Sequence, residues 1–334
     1  MNQDIILEIG NNLNIKPKQV ETVLNLLSEG NTIPFIARYR KEATGALDEE
    51  VIRSINEVYE YQVNLLKRKE DVIRLIDEKG LLTDELKTSI LKCQKLVEVE
   101  DLYRPYKEKK KTKATEAIKN GLEPLAKMMM SFPTTGNLEE MSKKFITENV
   151  ETVEKAVEGA KFIIAEWISD NASYRKWIRS FVFRNGILST KVKKDNKDEK
   201  KVYEMYYDYK EEVRNIKPHR ILAINRAEDE KVITVSIDVN QEEIIAYLES
   251  KLIKNKNSFV VNEVIDAIKD SLKRLIYPSI EREIRSELTD KANVVAIENF
   301  GKNVESLLLQ PPMKEKVVLA FDPGYTNGCK LAVI

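Results

Sequence analysis

The chain has 334 residues, and its 55 Lys and Arg residues balance 55 Asp and Glu residues, so it carries no formal net charge at pH 7. This balance argues neither for nor against a nucleic-acid partner, and any cationic binding surface must therefore be local. Charged residues make up 33% and aromatic residues 7% of the sequence, which is typical of solvated helices and argues against a β-sandwich.

Apolar residues recur at helical spacing from the start of the chain. Residues 5–27 predict two helices, the second beginning at Pro17, where the missing backbone N–H costs nothing. Asp48 caps a long helix, and Thr83 caps the next one, whose apolar stripe includes Cys93. We therefore expect Cys93 to be a core residue.

A short cationic helix from Pro34 to about Glu42 lies between these amphipathic helices, and Thr44-Gly45 prevents it from continuing. Its cations are Arg38, Arg40 and Lys41. They fit two interpretations, either a contact surface for nucleic acid or arginine bridges to the acidic start of the next helix at Glu49 and Glu50. We favour the structural interpretation, because the planar fork of arginine suits such bridges.

Cations and aromatic residues alternate in a segment after the helix that contains Cys93. The segment holds Tyr103, Arg104, Tyr106, Lys107, Lys109, Lys110, Lys111 and Lys113. Pro105 prevents a continuing helix and predicts a loop, in which Glu108 is the single acid. Such a loop suits contacts to phosphates and bases, although most lysine runs are only solvated. It is our first candidate nucleic-acid surface.

Helical periodicity resumes over 114–130, 153–167 and 174–185. The last two helices are joined by a tight polar turn at Asp170-Asn171, which is the outline of a helix-turn-helix. We place Trp177 on the buried face of the second helix. The basic residues of that helix that we regard as candidate phosphate contacts are Arg175, Arg179 and Arg184.

A small β element interrupts the helical pattern after a charge-dense loop over 191–201. Strands are predicted over 202–209, 220–225 and 232–239. His219 would precede the second strand as a packing or hydrogen-bonding residue. Helices return over 241–252, over 262–276 and from Pro278 towards Leu309. Two final strands, over 316–321 and 328–334, flank Asp322-Pro323-Gly324.

Four of these stretches together resemble the Tex family of bacterial transcription accessory proteins in order and spacing. They are 29–52, Asp101-Leu102-Tyr103-Arg104-Pro105-Tyr106-Lys107, Pro218-His219-Arg220-Ile221-Leu222-Ala223 and Leu319-Ala320-Phe321-Asp322-Pro323-Gly324. The resemblance implies that 319–334 opens an RNase-H-like domain of the YqgF/RuvC type, with Asp322 at the position of a metal ligand in active nucleases. It also implies an N-terminal portion of a longer protein, in which helix-hairpin-helix modules and an OB-fold RNA-binding domain follow.

These elements predict a mainly α protein. We expect a multi-helix N-terminal region with a helix-turn-helix-like part, a small inserted β element, long helices and the first strands of a truncated RNase-H-like α/β domain. The corresponding domain limits are 1–190, 191–240, 241–312 and 313–334.

The function that the resemblance implies is that of a non-catalytic scaffold in transcription. We expect RNA or DNA, contacted mainly through phosphates, and the transcription machinery as partners. The sequence shows no secretory signal and no long apolar run, so we expect a cytoplasmic protein without a membrane partner. Neither the two distant cysteines nor the single histidine forms a metal-binding pattern. We expect no cofactor, no metal site and no enzymatic activity, since no catalytic motif is present.

Two alternatives remain open. One is an RNase-H-like nuclease in the full-length protein, for which Asp322 is the only residue present. The other is a protein-interaction scaffold whose basic residues only solvate its surface.

Overall fold

The computed structural model describes residues 3–195, 198–311, 315–324 and 328–334. It confirms a mainly helical fold. The helices up to the first strand are α1 (Gln3–Leu13), α2 (Pro17–Ser28), α3 (Ile33–Tyr39), α4 (Lys41–Thr44), α5 (Glu49–Asp77), α6 (Asp84–Leu91), α7 (Leu96–Tyr103), α8 (Lys113–Lys119), α9 (Glu123–Met130), α10 (Leu138–Lys143), α11 (Val153–Asp170) and α12 (Ala172–Asn185).

The remaining chain mixes strands with longer helices. Its elements are β1 (Ile187–Val192), β2 (Lys210–Glu212), α13 (Pro218–Asp229), β3 (Ile233–Asp238), α14 (Gln241–Leu252), α15 (Val261–Asp270), α16 (Tyr277–Leu308), β4 (Leu319–Asp322) and β5 (Lys330–Val333). A π-helical segment, Ser271–Ile276, joins α15 to α16. In the described ranges, no helix combines the length and the apolarity needed to cross a membrane.

The chain forms two compact units. The first combines Met1–Ser180 with Asn240–Ile280, and the second combines Phe181–Val239 with Glu281–Ile334. Each unit is thus assembled from two separate stretches, whereas the sequence suggested four consecutive segments. Residues 196–197 of the expected charged loop, and 312–314 at the expected last boundary, lie outside the described residues.

The N-terminal part of the first unit packs α1, α2 and α3 against the first half of α5. Ile9, Ile36 and Ile52 are fully buried in this core. The helix starts follow the predicted capping, since Asp48 Oδ1 accepts a hydrogen bond from the backbone N–H of Val51 at 2.8 Å. The N-terminal core therefore forms as the periodicity predicts.

A second core lies between the later part of α5, α6 and α7. Val72, Ile90 and Val99 are fully buried there, and Cys93 is packed with them. Burial raises the pKa of the Cys93 thiol, so this cysteine remains a protonated packing residue. The prediction for Cys93 is confirmed.

Helix α11 is the central helix of the rest of the first unit and contacts α8, α9, α15 and the π-helical segment. Gly159 permits a close approach, because a Cβ atom there would lie 2.3 Å from Leu122 Cδ1. The Ser271 hydroxyl donates to the carbonyl of Ala165 at 2.6 Å.

The single helix predicted over 114–130 is wrong, because Gly121, with φ of 77°, separates α8 from α9.

The second unit contains an antiparallel sheet in the order β2-β1-β3. Leu188, Ile233 and Ile237 are buried on it. The Ile237 N–H donates to Glu281 Oε1 at 2.7 Å. This bond satisfies a backbone donor on the outer edge of β3 that would otherwise be unpaired. The strands β4 and β5 form a separate antiparallel pair with exposed residues, in which Asp322 is opposite Lys330.

Of the three strands predicted in the β element, only 232–239 is confirmed, as β3. The strand predicted over 202–209 is wrong, because the Asp198 carboxylate accepts hydrogen bonds from the N–H groups of Val202 and Tyr203 at 2.8 Å each. These bonds bend the chain into a turn that competes with a strand. Neither β1 nor β2 was predicted from the sequence.

The strand predicted over 220–225 is wrong as well, because this stretch belongs to α13. Pro218 occupies the first helical turn, and Ile221, Ile224 and Ala227 are buried at a spacing of three residues. His219 consequently lies exposed in that first turn and not at the entry of a strand.

Trp177 lies half-buried on α12, not fully buried as predicted. Its ring stacks on that of Tyr247 in α14, with centroids 3.7 Å apart and ring planes 7° apart. Trp167, on α11, is 36% exposed. The stacked pair therefore joins α12 to α14.

We expect this stacking to give a measurable coupling energy. In a double-mutant cycle, the free energy of unfolding lost in the Trp177→Ala/Tyr247→Ala variant should be smaller than the sum of the losses in the two single variants. The difference should be about 0.5–1.5 kcal/mol. Denaturant unfolding measures the four free energies. The control is a second cycle that combines Trp167→Ala with Tyr247→Ala. Its effects should be additive, since Trp167 makes no ring contact with Tyr247 among the described residues. Simple additivity in the Trp177 cycle would contradict the stacking.

Candidate nucleic-acid interface

The buried carboxylate of Asp101, in the last turn of α7, binds two arginines of α12. Asp101 is 5% exposed. Its Oδ1 accepts from Arg175 Nε at 2.7 Å, and its Oδ2 accepts from Arg179 Nη2 at 2.9 Å. Arg175 is fully buried and also donates to the Ser279 hydroxyl at 3.1 Å. The expectation that Arg175 contacts phosphate is wrong, because no phosphate reaches a fully buried guanidinium.

The turn between α11 and α12 determines the orientation of α12, and therefore of Arg175 and Arg179. Asn171 is the one residue between the two helices, and its side chain accepts from the N–H groups of Ser173 at 3.0 Å and Tyr174 at 3.1 Å. The side chain of Arg179 retains 17% exposure but is held by Asp101. Of the three arginines proposed on α12, Arg184 is the one that lies exposed. The helix-turn-helix assignment itself stays a prediction.

The aromatic residues of the 103–113 segment hold the loop and do not form a stacking platform. Tyr103 is 7% exposed, and the Arg68 guanidinium lies 5.4 Å from its ring centroid. Tyr106 is half-buried and packs against the second core. A buried ring has no free face for a base, so the expectation that Tyr103 contacts nucleic acid is wrong.

Two cations of this segment bind the end of α11. Arg104 Nε lies 3.4 Å from Asp170 Oδ1. Lys109 Nζ is paired with Asp170 and lies 3.2 Å from Glu166 Oε2. Burial raises the pKa of the Asp170 carboxyl, although Lys109 and Arg104 favour its charged form. Arg104 and Lys109 thus connect the loop to α11.

The other lysines of the segment differ in the contacts that their side chains make within the protein. Lys113 Nζ lies 4.5 Å from the centroid of the Phe162 ring, and Lys111 pairs with Glu116 at 3.1 Å on the surface. Lys107 and Lys110 are exposed and make no ion pair within the described ranges. The predicted lysine surface is therefore reduced to Lys107, Lys110 and the weakly held Lys111.

The cations of the central stretch lie on the surface. Arg38, Arg40 and Lys41 are exposed. In the part of the chain that the structure describes, none of them pairs with Glu49 or Glu50. Glu49 instead binds Arg53 at 3.0 Å, one turn further along α5. The interpretation of Arg38 and Arg40 as bridges between helices is wrong, because the acids they would need are not in contact with them.

Asp322, the candidate metal ligand, is exposed on β4. Among the described residues, no group of three or more His, Cys, Asp or Glu side chains is close enough to hold a metal ion. The carboxylates that a two-metal nuclease site requires are therefore not assembled around Asp322 in the described chain.

Comparisons with known proteins identify the family. The model of the Tex-like protein N-terminal domain matches residues 3–77, and that of the Tex central region-like domain matches 134–300. The chain belongs to the Tex family, which confirms the resemblance seen in the sequence.

Relatives include the uncharacterized protein YdcI of Bacillus subtilis, 52% identical over 100% of this chain and 46% of its own length. The transcriptional accessory protein Tex of Neisseria gonorrhoeae is 32% identical over 95% of this chain and 42% of its own length. The human S1 RNA-binding domain-containing protein 1 is 32% identical over 100% of this chain and 35% of its own length. The chain thus spans less than half the length of these relatives.

We expect Asp101 to be essential for stability. Asp101→Ala leaves two guanidinium groups, one of them fully buried, without their carboxylate. It should lower the free energy of unfolding by about 3–5 kcal/mol, the usual cost of breaking a buried ion pair. Denaturant unfolding measures the change.

The control for this variant is Glu151→Ala, which removes the exposed partner of Lys155. It should leave the unfolding midpoint almost unchanged, because an exposed ion pair contributes little. Equal stability of Asp101→Ala and the wild type would refute the structural role of Asp101.

Proposed function

We propose that this chain is part of a cytoplasmic transcription accessory protein that contacts the phosphates of RNA or DNA and catalyses no reaction on them. Two relatives bear the names transcriptional accessory protein Tex and S1 RNA-binding domain-containing protein 1. These names support a role connected with nucleic acid. The surface of the chain has to supply the contact locally, because its net charge is zero.

The observation that carries the proposal is the position of Lys107 and Lys110. Arg104 and Lys109 fix the loop to α11 through Asp170, whereas the side chains of Lys107 and Lys110 extend into solvent. Lysines on a fixed loop present point charges at defined positions and need no particular base. The contact should consequently be independent of sequence.

The proposal predicts a smaller salt dependence of binding when these two lysines are neutralised. The variant Lys107→Gln/Lys110→Gln should bind RNA and DNA of different sequences more weakly by a similar factor. The slope of log affinity against log salt should fall by at most about 0.9 per lost contact on duplex DNA and about 0.7 on single strands. Fluorescence anisotropy titrations at several salt concentrations measure both quantities.

The matched control is Lys127→Gln/Lys143→Gln, which removes the same charge from exposed lysines that pair with Glu123 at 2.8 Å and Glu139 at 2.7 Å. It should leave affinity and slope almost unchanged. An equal loss in both double variants would show that only net charge matters and would contradict a contact at the loop. Undiminished binding by the Lys107→Gln/Lys110→Gln variant would contradict a contact at the loop, and absence of nucleic-acid binding by the wild type would favour the protein-interaction scaffold.

A second prediction concerns the absence of nuclease activity. Purified chain incubated with labelled RNA or DNA and Mg²⁺ or Mn²⁺ should leave the substrate intact, because Asp322 has no converging carboxylates among the described residues. Gel electrophoresis with an EDTA control measures cleavage. Metal-dependent cleavage by the wild type that disappears in Asp322→Ala would overturn the non-catalytic assignment in favour of the nuclease.

A further inference from the structure

A second cationic surface lies where α3 meets α4. We call it the 38–41 surface, formed by Arg38, Tyr39, Arg40 and Lys41. All four side chains are exposed, and the Tyr39 residue is 66% exposed. The two short helices meet at Arg40, whose backbone angles of φ −126° and ψ 26° are not helical. The break brings the last residues of α3 and the first residue of α4 into one exposed segment.

The backbone beneath this surface is held firmly. Ile36 is fully buried in the N-terminal core. Thr44 is fully buried, and its hydroxyl donates to the Arg40 carbonyl at 3.1 Å. The side-chain amide of Gln19 donates to the Thr44 carbonyl at 2.8 Å, which joins α4 to α2. The exposed side chains therefore project from a fixed support and not from a flexible loop.

An aromatic contact orders two of these side chains. The rings of Phe35 and Tyr39 have centroids 5.2 Å apart and are tilted by 43°. The Arg40 guanidinium lies 5.2 Å from the centroid of the same Phe35 ring. Phe35 is half-buried, so it holds Tyr39 and Arg40 while most of Tyr39 remains open to solvent.

The charges of this surface are not neutralised within the described chain. Other arginines of the first unit pair with carboxylates, as Arg53 does with Glu49 and Arg68 does with Glu100. Arg38, Arg40 and Lys41 make no such pair in the described ranges, although the exposed Glu42 lies in the same segment. Three cations beside one acid leave a local positive charge around an exposed aromatic ring.

We propose that the 38–41 surface binds single-stranded nucleic acid, with one base stacked on Tyr39 and the flanking phosphates contacted by Arg38, Arg40 and Lys41. Stacking on an aromatic side chain between cations is the usual way in which proteins hold single strands. Bases in a duplex are already stacked on each other, so the surface should prefer single strands. This inference rests on the proposed function and adds a base contact to the phosphate contacts of the lysine loop.

The test compares tyrosine variants of the full chain in anisotropy titrations with labelled oligouridine, oligothymidine and a DNA duplex. Tyr39→Ala should weaken binding to both single strands by about 5- to 100-fold, the effect of losing one stacked base. Tyr39→Phe should retain binding, since it keeps the ring. Duplex binding should change little in either variant. Tyr61→Ala, which removes another exposed tyrosine, is the control and should bind as the wild type does.

Arginine variants test the phosphate contacts separately. Arg38→Gln/Arg40→Gln should weaken binding to single strands and reduce its salt slope. Arg53→Gln/Arg74→Gln removes the same charge from arginines already paired with acids and should have little effect. Thermal melts should show that the Arg38→Gln/Arg40→Gln variant remains folded, because its exposed side chains make no ion pair in the described chain.

Photo-cross-linking gives a readout on the wild-type protein that does not depend on any variant. Irradiation with a 5-bromouridine oligonucleotide, followed by mass spectrometry, should recover a cross-linked peptide that contains Tyr39. Cross-links confined to other peptides would overturn the inference.

The outcomes separate this inference from the proposed function. If Tyr39→Ala binds single strands as tightly as the wild type while Lys107→Gln/Lys110→Gln binds more weakly, the inference is wrong and the proposed function stands. If the wild type binds neither single strands nor duplex, both are wrong.

Discussion

The buried carboxylate of Asp101 binds two of the three arginines on α12 that the sequence offered as phosphate contacts. A charge removed from water needs a partner of opposite sign, and the partners of Asp101 are Arg175 and Arg179 on α12. This pairing connects α7 to α12 and turns part of the basic face of α12 into the interior. Asp170 acts similarly at the end of α11, where it binds Arg104 and Lys109. Asp101 and Asp170 thus bind four of the basic residues proposed as ligand contacts, and these four residues stabilise the fold instead.

What remains for binding is defined by the same pairing. The chain has equal numbers of acidic and basic residues, so a cationic surface has to be local. Lys107 and Lys110 are exposed, whereas Asp170 binds Arg104 and Lys109 of the same loop. Arg38 and Arg40 are exposed as well, and Glu49 binds Arg53. Both surfaces are supported by buried residues, which lowers the ordering cost of a contact.

Local patterns predicted much of the fold and little of the site. Asp48 and Thr83 could be recognised as caps because a cap acts on amides only a few residues away. The strand predicted over 202–209 failed because the Asp198 side chain captures nearby amides, a competition that alternation of apolar residues does not reveal. The role of Arg175 could not be predicted, since its partner Asp101 is 74 residues away in the sequence. Asp101 is one of three acids among the eight residues of α7, so the residue type alone did not single it out.

We propose that exposed, unpaired cations contact nucleic acid, whereas the arginines bound to Asp101 maintain the fold. Hydrogen–deuterium exchange of the chain with and without a single-stranded oligonucleotide distinguishes the two groups of cations. We expect slower exchange on binding in peptides that cover 33–44 and 104–113, and unchanged exchange over 172–180. Slower exchange confined to 172–180, with no change in the other two segments, would contradict it.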